Sequence, residues 1–392
     1  MSSSGLEAAR QRITSKYWAG TMEPLGAQWV CFQPKDTECQ DRVAVEQWDI
    51  AGDRWLFAAV FDGHFGSTTA DYTGRMLPTR LRGRIYSLML RQLHNKKLDR
   101  TNIHAVQAKF TAILKEQIEH FDREIGETLQ QLCPTPEKLT EEQARHLIER
   151  HKEAIDCAFE GTTLALALVN VDQRFMWAAG LGDSTVALST IGSDGKRRAE
   201  RLCDLHTFKN PKEYYRAVMA HSSYERPIVD SQDRMLGVLA IGDFALKLRS
   251  SYLTNLFRFI PYGHAFGLSR HASKIVTPPY IIAEPSVRFV DLEPVYFVFT
   301  PEKHSGADPV NIVSSLLSGE VDHEVERALG HPIDPHWSGA ENNRAVNILG
   351  NLLGGTDVER LEMVTDEGRL QDIGEDWQFH IDDTSIIVWG LT

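Results

Sequence analysis

The run Trp55-Leu-Phe-Ala-Ala-Val-Phe61 constrains the fold of this chain more than any other stretch. It is continuously apolar, rich in aromatic side chains and short, which reads as a strand buried on both faces. Directly after it come Asp62, Gly63 and His64. A carboxylate beside a glycine that lets the backbone approach closely offers two hard oxygen donors, which suits a divalent cation. The competing reading of the same tripeptide is a plain Asp-Gly turn followed by a solvated histidine, so its meaning depends on the rest of the chain.

Arg42–Gln47 reads as a strand folded back onto Trp55–Phe61 by the turn Asp49-Ile-Ala-Gly-Asp53. Helical spacing of apolar residues covers Thr68 to about Leu93, with Pro78 as a candidate break, and then Ile103–Leu129. A third helix is predicted over Thr140–Phe159, opened by the cap Thr140-Glu-Glu-Gln. Beyond Gly161 the pattern turns to short strands at Thr163–Val171, Phe175–Ala179 and Thr185–Ser189, and later at Val287–Val290 and Val295–Thr300. Helices are expected near Pro309–Leu317 and Ala345–Leu353, and Thr384–Gly390 closes the chain as a buried strand. Strands from both ends of the chain interleaved with helical pairs predict one α+β domain of layered sheets over 31–392. Within it lie a helical segment at 84–159 and a patternless 248–275, read as an insert or flap. Residues 1–30 read as a leader.

Composition narrows the function classes. A formal charge of −12 over 392 residues speaks against a general binder of nucleic acid or anionic membrane, since both reward a basic surface. The five cysteines are odd in number and widely spaced, with no Cys-x-x-Cys pair, as expected of reduced intracellular thiols. No apolar run approaches the roughly 18 residues of a membrane helix, and the N-terminus lacks the apolar core of a secretory signal. A cytoplasmic protein is the expectation, with a mitochondrial destination left open.

The acids that abut predicted strands are the candidate site. Asp62 ends one strand, Asp41 precedes another, Asp183 follows a third in Gly180-Leu-Gly-Asp183, and Asp382 and Asp383 precede the last. A hydrolase with two cations needs carboxylates gathered from distant strand ends in this way.

Four stretches, in this order, resemble the metal-dependent protein phosphatases of type 2C: Val60-Phe-Asp-Gly-His64, Gly161-Thr-Thr163, Ala178-Ala-Gly-Leu-Gly-Asp-Ser184 and Asp382-Asp-Thr-Ser-Ile-Ile-Val388. The text between them is similar to the pyruvate dehydrogenase phosphatase branch, through His206-Thr-Phe-Lys-Asn210, Asp233-Arg-Met-Leu-Gly-Val-Leu239, Gly242-Asp243, Lys247 and Thr277-Pro-Pro-Tyr-Ile-Ile-Ala-Glu-Pro285. The resemblance implies a four-layer α/β/β/α sandwich of two mainly antiparallel sheets with helices outside. It implies two magnesium or manganese ions and a phosphoprotein substrate, with Asp62 bridging the ions, Gly63 giving its carbonyl oxygen and Asp382 completing one shell. By the same resemblance Asp41 stands near the site and His64 is the general acid toward the leaving serine or threonine oxygen.

The pattern also departs from the family. After the strand at Val295–Thr300 the family has Ser/Thr-Asp-Gly, where this chain reads Thr300-Pro-Glu302. Gln40 replaces a glutamate, Leu239 stands where an arginine is usual, and no arginine obviously matches the phosphate-gripping one of many members. Two readings follow: a protein serine/threonine phosphatase with a reduced metal set, or a catalytically inactive relative that binds a phosphoprotein or regulatory partner.

Overall fold

The computed structural model describes residues 3–35, 37–94, 96–191, 197–207, 210–221, 239–261, 272–292, 295–301, 308–366, 368 and 382–391. The strands in chain order are β1 (Tyr17–Met22), β2 (Ala27–Phe32), β3 (Arg42–Ile50), β4 (Asp53–Phe61), β5 (Gly63–His64), β6 (Gly161–Thr162) and β7 (Leu164–Asn170). They continue with β8 (Phe175–Leu181), β9 (Ser184–Ile191), β10 (Arg197–Arg201), β11 (Ile241–Gly242), β12 (Ser286–Asp291), β13 (Val295–Pro301) and β14 (Thr384–Gly390). One sheet runs β1-β2-β14-β13-β9-β10, a second runs β12-β8-β7-β4-β3, and a small third joins β11-β6-β5. Neighbouring strands pair antiparallel throughout.

The alternation of side chains along a strand shows the layers directly. On β4, Trp55, Phe57, Ala59 and Phe61 belong to a core shared with helices, whereas Leu56, Ala58 and Val60 belong to a second core between the sheets. On β14, Ile387 and Trp389 meet that same inter-sheet core, while Ile386 and Val388 face a third core on the far side. The continuous apolar run at 55–61 is thus apolar because helices cover one of its faces and a sheet the other.

The helix layers come from three parts of the chain. First is α1 (Ser3–Thr14), then α2 (Thr68–Leu93), α3 (Ile103–Leu132), α4 (Glu141–Arg150) and α5 (Lys152–Phe159). Next are α6 (Pro211–Ala220), α7 (Phe244–Lys247) and α8 (Ser250–Asn255). Last come α9 (Pro309–Leu316), α10 (His323–Leu329), α11 (Arg344–Leu353) and α12 (Val358–Met363). Helices α2 to α8 cover the β4 sheet, where Trp55, Phe110 and Trp177 stack with ring centroids 5.7 and 4.4 Å apart. Fully burying each such ring is worth ~1.5–3 kcal/mol. Helices α1 and α9 to α12 cover the other sheet.

Several expectations are modified by packing. Pro78 does not break α2, because Leu77, Leu81 and Ile85 hold the helix against the sheet on either side of it. The helix predicted over 140–159 splits at His151 (φ −126°, ψ 38°), and its capping box forms as expected: Gln143 N–H donates to Thr140 Oγ1, and Thr140 N–H to Gln143 Oε1. The stretch 1–30 holds α1, β1 and the start of β2, with Ala9 and Ile13 fully buried. Of 248–275, the described part contains α8 and 3-10 turns at Phe257–Phe259 and Ala272–Lys274, with Leu253, Leu256 and Phe257 fully buried in the main core. Positions 262–271 lie outside the described residues, as do Glu302 and all but Leu239 of the motif at 233–239.

Candidate active site

Strand register gathers the acids at one end of the sandwich. Arg42 pairs with Phe61, so Asp41 and Asp62 leave adjacent strands at the same end. Val60 pairs with Ala165 and Leu164 with Leu181, which carries that end across to Thr163 and to the Gly182-Asp183 turn between the sheets. In the other sheet Ser184 faces Pro301, Val298 faces Val388 and Thr384 faces Phe32, which brings Asp382 and Asp383 to the same rim.

Close backbone packing fixes the centre. Thr163 N–H and Thr162 Oγ1 donate to the Asp62 carbonyl at 2.9 and 3.1 Å. A Cβ on Gly63 would lie 2.4 Å from the Gln40 carbonyl oxygen, so only glycine fits where β5 passes the loop before β3. The same residue's N–H, Gln40 N, donates to Asp383 Oδ2 at 2.5 Å, and Asp383 N donates to Asp382 Oδ1 at 3.0 Å. The loop carrying Asp41 is therefore tied to both sheets.

The acids repel one another. Desolvation, then the neighbouring Asp183, Asp382 and Asp383, push the Asp62 carboxyl up to about 7, with His64 pulling the other way. Asp41 is buried, and burial followed by Asp62, Cys31 and Asp383 holds its carboxyl well above the usual range. Its Oδ1 is buried with no hydrogen-bond partner among the described residues. Asp383 is raised by burial and by Asp382, although its bond from Gln40 N works against the shift. Asp382 itself is exposed at the rim.

His64 acquires a partner that no local signal in the sequence marks. Its Nε2 lies 2.8 Å from Asp243 Oδ2, across 179 positions of chain. Asp243 is buried in a left-handed conformation (φ 55°), and its N–H donates to the Glu160 carbonyl at 3.0 Å. Burial draws the His64 imidazole down, but the Asp243 carboxylate, with Asp62 and Asp183, lifts it to about 9. Gly161 makes room for this pair: a Cβ there would sit 2.2 Å from His64 Nε2. Behind it, buried Asp122 accepts from Gly242 N at 2.9 Å and from Lys247 Nζ at 2.7 Å, which fixes the turn that presents Asp243. Gly242-Asp243 and Lys247 stood out in the sequence only as marks of ancestry.

Oxygen donors dominate this end, as a hard cation requires. Among the described residues, however, no three histidine, cysteine or acidic side chains are arranged as a ligand group. Pro301 ends β13 opposite Ser184, which follows Asp183. The next described acid along the chain after Pro301, Asp308, is engaged elsewhere: it caps α9 by accepting from Val310 N at 3.1 Å and pairs with Arg201 at 3.2 Å.

Fold and rim together define a class: an antiparallel α/β/β/α sandwich with carboxylates from several strand margins converging at one end. The protein phosphatase 2C profile matches residues 30–294, more than half of the chain, and the chain belongs to that family. Members of the family generally depend on magnesium or manganese. Human mitochondrial pyruvate dehydrogenase (acetyl-transferring) phosphatase 1 is 31% identical over 188 residues, which are 44% of this chain and 34% of that protein. Human phosphatase 2 of the same name is 30% identical over 157 residues, 36% of this chain and 27% of its own. The chain thus spans about a third of the length of the curated relatives it matches. A crystal structure of a bacterial serine phosphatase is 11% identical, with 94% of this chain and 98% of that one covered and a TM-score of 0.46. No helix among the described residues is long and apolar enough to cross a membrane.

Proposed function

We propose that the chain is a metal-dependent protein serine/threonine phosphatase that hydrolyses phosphoserine and phosphothreonine with a reduced metal shell. The observation that carries this reading is the carboxylate rim, above all the buried, unpartnered Oδ1 of Asp41 beside a repelling Asp62. Burying acids against one another is unfavourable unless a positive charge joins them. Asp62, the Gly63 carbonyl and Asp382 would hold magnesium or manganese, two ions in the family's arrangement. Bound there, divalent cations supply positive charge for phosphoryl oxygens and acidify water. Asp41 stands beside them as a further acid.

The chain's own contribution is the proton. With its basicity lifted to about 9, His64 is protonated at neutral pH, and Asp243 holds the ring through Nε2. That leaves Nδ1 as the atom from which a proton can reach the departing serine or threonine oxygen. Residues 31–392 would form the phosphatase domain, with α1 and β1 as its N-terminal extension. The partners this reading calls for are phosphoproteins. A cytoplasmic location belongs to the same proposal, and cell fractionation tests it against the mitochondrial one in the relatives' names.

A specific observation favours a second reading, a pseudophosphatase that binds without turnover: Pro301 closes β13, and no three-residue ligand group exists among the described residues. One experiment separates the two. Manganese-stimulated hydrolysis of a small aryl phosphate by the purified chain, absent in Asp62→Asn, supports the enzyme. Turnover equal to that of Asp62→Asn leaves the binding protein.

A further inference from the structure

The composition predicts only reduced thiols, but two of them meet. Cys31, on β2 opposite Trp18 of β1 and Ser385 of β14, has its Sγ 3.3 Å from the Sγ of Cys39. The other three cysteines, Cys133, Cys157 and Cys203, are buried elsewhere in the fold. Cys31 is held in a central position of its sheet, whereas Cys39 is half-buried in the loop between β2 and β3, within reach of a small solute.

We propose that Cys31 and Cys39 form a reversible redox-modification site, at which hydrogen peroxide joins them as an intrachain disulfide. One sulfur attacks the peroxide O–O bond and becomes a sulfenic acid, releasing one water. The second sulfur displaces the hydroxyl from that sulfenic sulfur, forming the S–S bond and releasing a second water. Two thiols are oxidised by two electrons and one peroxide is reduced to two waters, so the step balances.

Bond formation draws the sulfurs from 3.3 Å to about 2.05 Å, and the strand-bound Cys31 leaves the loop to move. That loop is coupled to the acidic rim. Gln40, next to Cys39, donates to Asp383 Oδ2 and presses its carbonyl against Gly63, and Arg42 Nη1 donates to the Cys39 carbonyl at 2.6 Å. Oxidation therefore strains the contacts that hold Asp41 and Asp383 in place. The inference stands on the sulfur geometry and does not need the chain to be an active phosphatase.

The test uses the reduced full chain treated with hydrogen peroxide, followed by alkylation of remaining thiols and non-reducing peptide mass spectrometry. The expected dominant product is a Cys31–Cys39 linked peptide with two of the five thiols lost, both restored by dithiothreitol. Amide hydrogen exchange over 38–41 changes on oxidation of the wild type. In Cys39→Ser and Cys31→Ala, each checked for a native melting transition, neither the link nor the exchange change appears. Full alkylation of both cysteines after peroxide, or a link from either to a different cysteine, overturns the proposal. A formed link with unaltered exchange at 38–41 overturns the coupling to the rim.

Discussion

The two ends of β4 carry acids in opposite circumstances. At its start, fully buried Asp53 is met by Asn170 Nδ2 at 3.2 Å, Lys97 Nζ at 3.1 Å and Gln173 Nε2 at 3.5 Å, so the chain supplies its own neutralisation. Just past its end, Asp62 faces Asp183, Asp382 and Asp383, with His64 as the opposing charge. The first arrangement is what a carboxylate needs to be structural. The second is stable only with a proton or a cation added, and an acid left in that condition is the mark of a site.

Substitutions at the two ends should therefore have different effects. The largest expected effect is on turnover: Asp62→Asn lowers manganese-stimulated aryl phosphate hydrolysis roughly 100-fold or more, whereas Asp53→Asn leaves it unchanged. Equal losses from both variants would erase the distinction. Next is the group proposed as proton donor, His64. Asp243→Asn removes the charge that lifts His64 to about 9, so the alkaline limb of the rate profile moves toward about 6.5 and activity at pH 8 falls ~30-fold. A profile that does not move would free His64 from the role given to it.

In stability the roles reverse. Asp53→Ala strands Asn170 and the Lys97 contact and destabilises by about 1–3 kcal/mol in urea unfolding. For Asp62, a folded carboxyl near 7 against an unfolded one near ~3.9 means the folded state holds the proton more tightly, so stability falls as pH rises from about 4 through about 7. His64 acts over a higher window, since stability from its raised value is complete below about 6.5 and lost through about 9. The metal-free protein should thus melt a few degrees lower at pH 8 than at pH 5.5, roughly 2–4 °C. Asp62→Asn should flatten the lower part of that slope, and manganese should restore the wild type at pH 8. The smallest effect is a control far from both ends: Thr140→Ala, in an exposed capping box, costs about 1 kcal/mol and leaves every rate unchanged.

Much of this architecture was legible because its signals are local. The run at 55–61, the spacing of α2 and α3 and the final strand are patterns of neighbours, and the acids were found because each adjoins such a pattern. What stayed hidden depends on distant contacts. Tyr17–Met22 contains Ala19 and Gly20 and has no alternation, so it becomes a strand only by pairing with β2, where a Cβ on Gly20 would strike the Trp29 ring at 2.9 Å. The short α1 gains its hold from Ala9 and Ile13 against α12 and from Arg10–Asp334 and Arg12–Glu362 pairs at 2.5 and 2.7 Å. Asp243 meets His64, and Cys39 meets Cys31, through tertiary closure alone.

The order of strands has a practical corollary for anyone dissecting this molecule. The β4 sheet lies entirely inside residues 30–294, but β1, the first half of β2, β13 and β14 of its partner sheet do not. A gene fragment trimmed to the matched span would keep one slab whole and reduce the other to disconnected ribbons. Leu56, Ala58 and Val60 would lose their lid of Ile387 and Trp389, and the rim would lose Asp382. Such a fragment should precipitate rather than report a weakened enzyme, so deletion mapping here measures assembly before it measures chemistry.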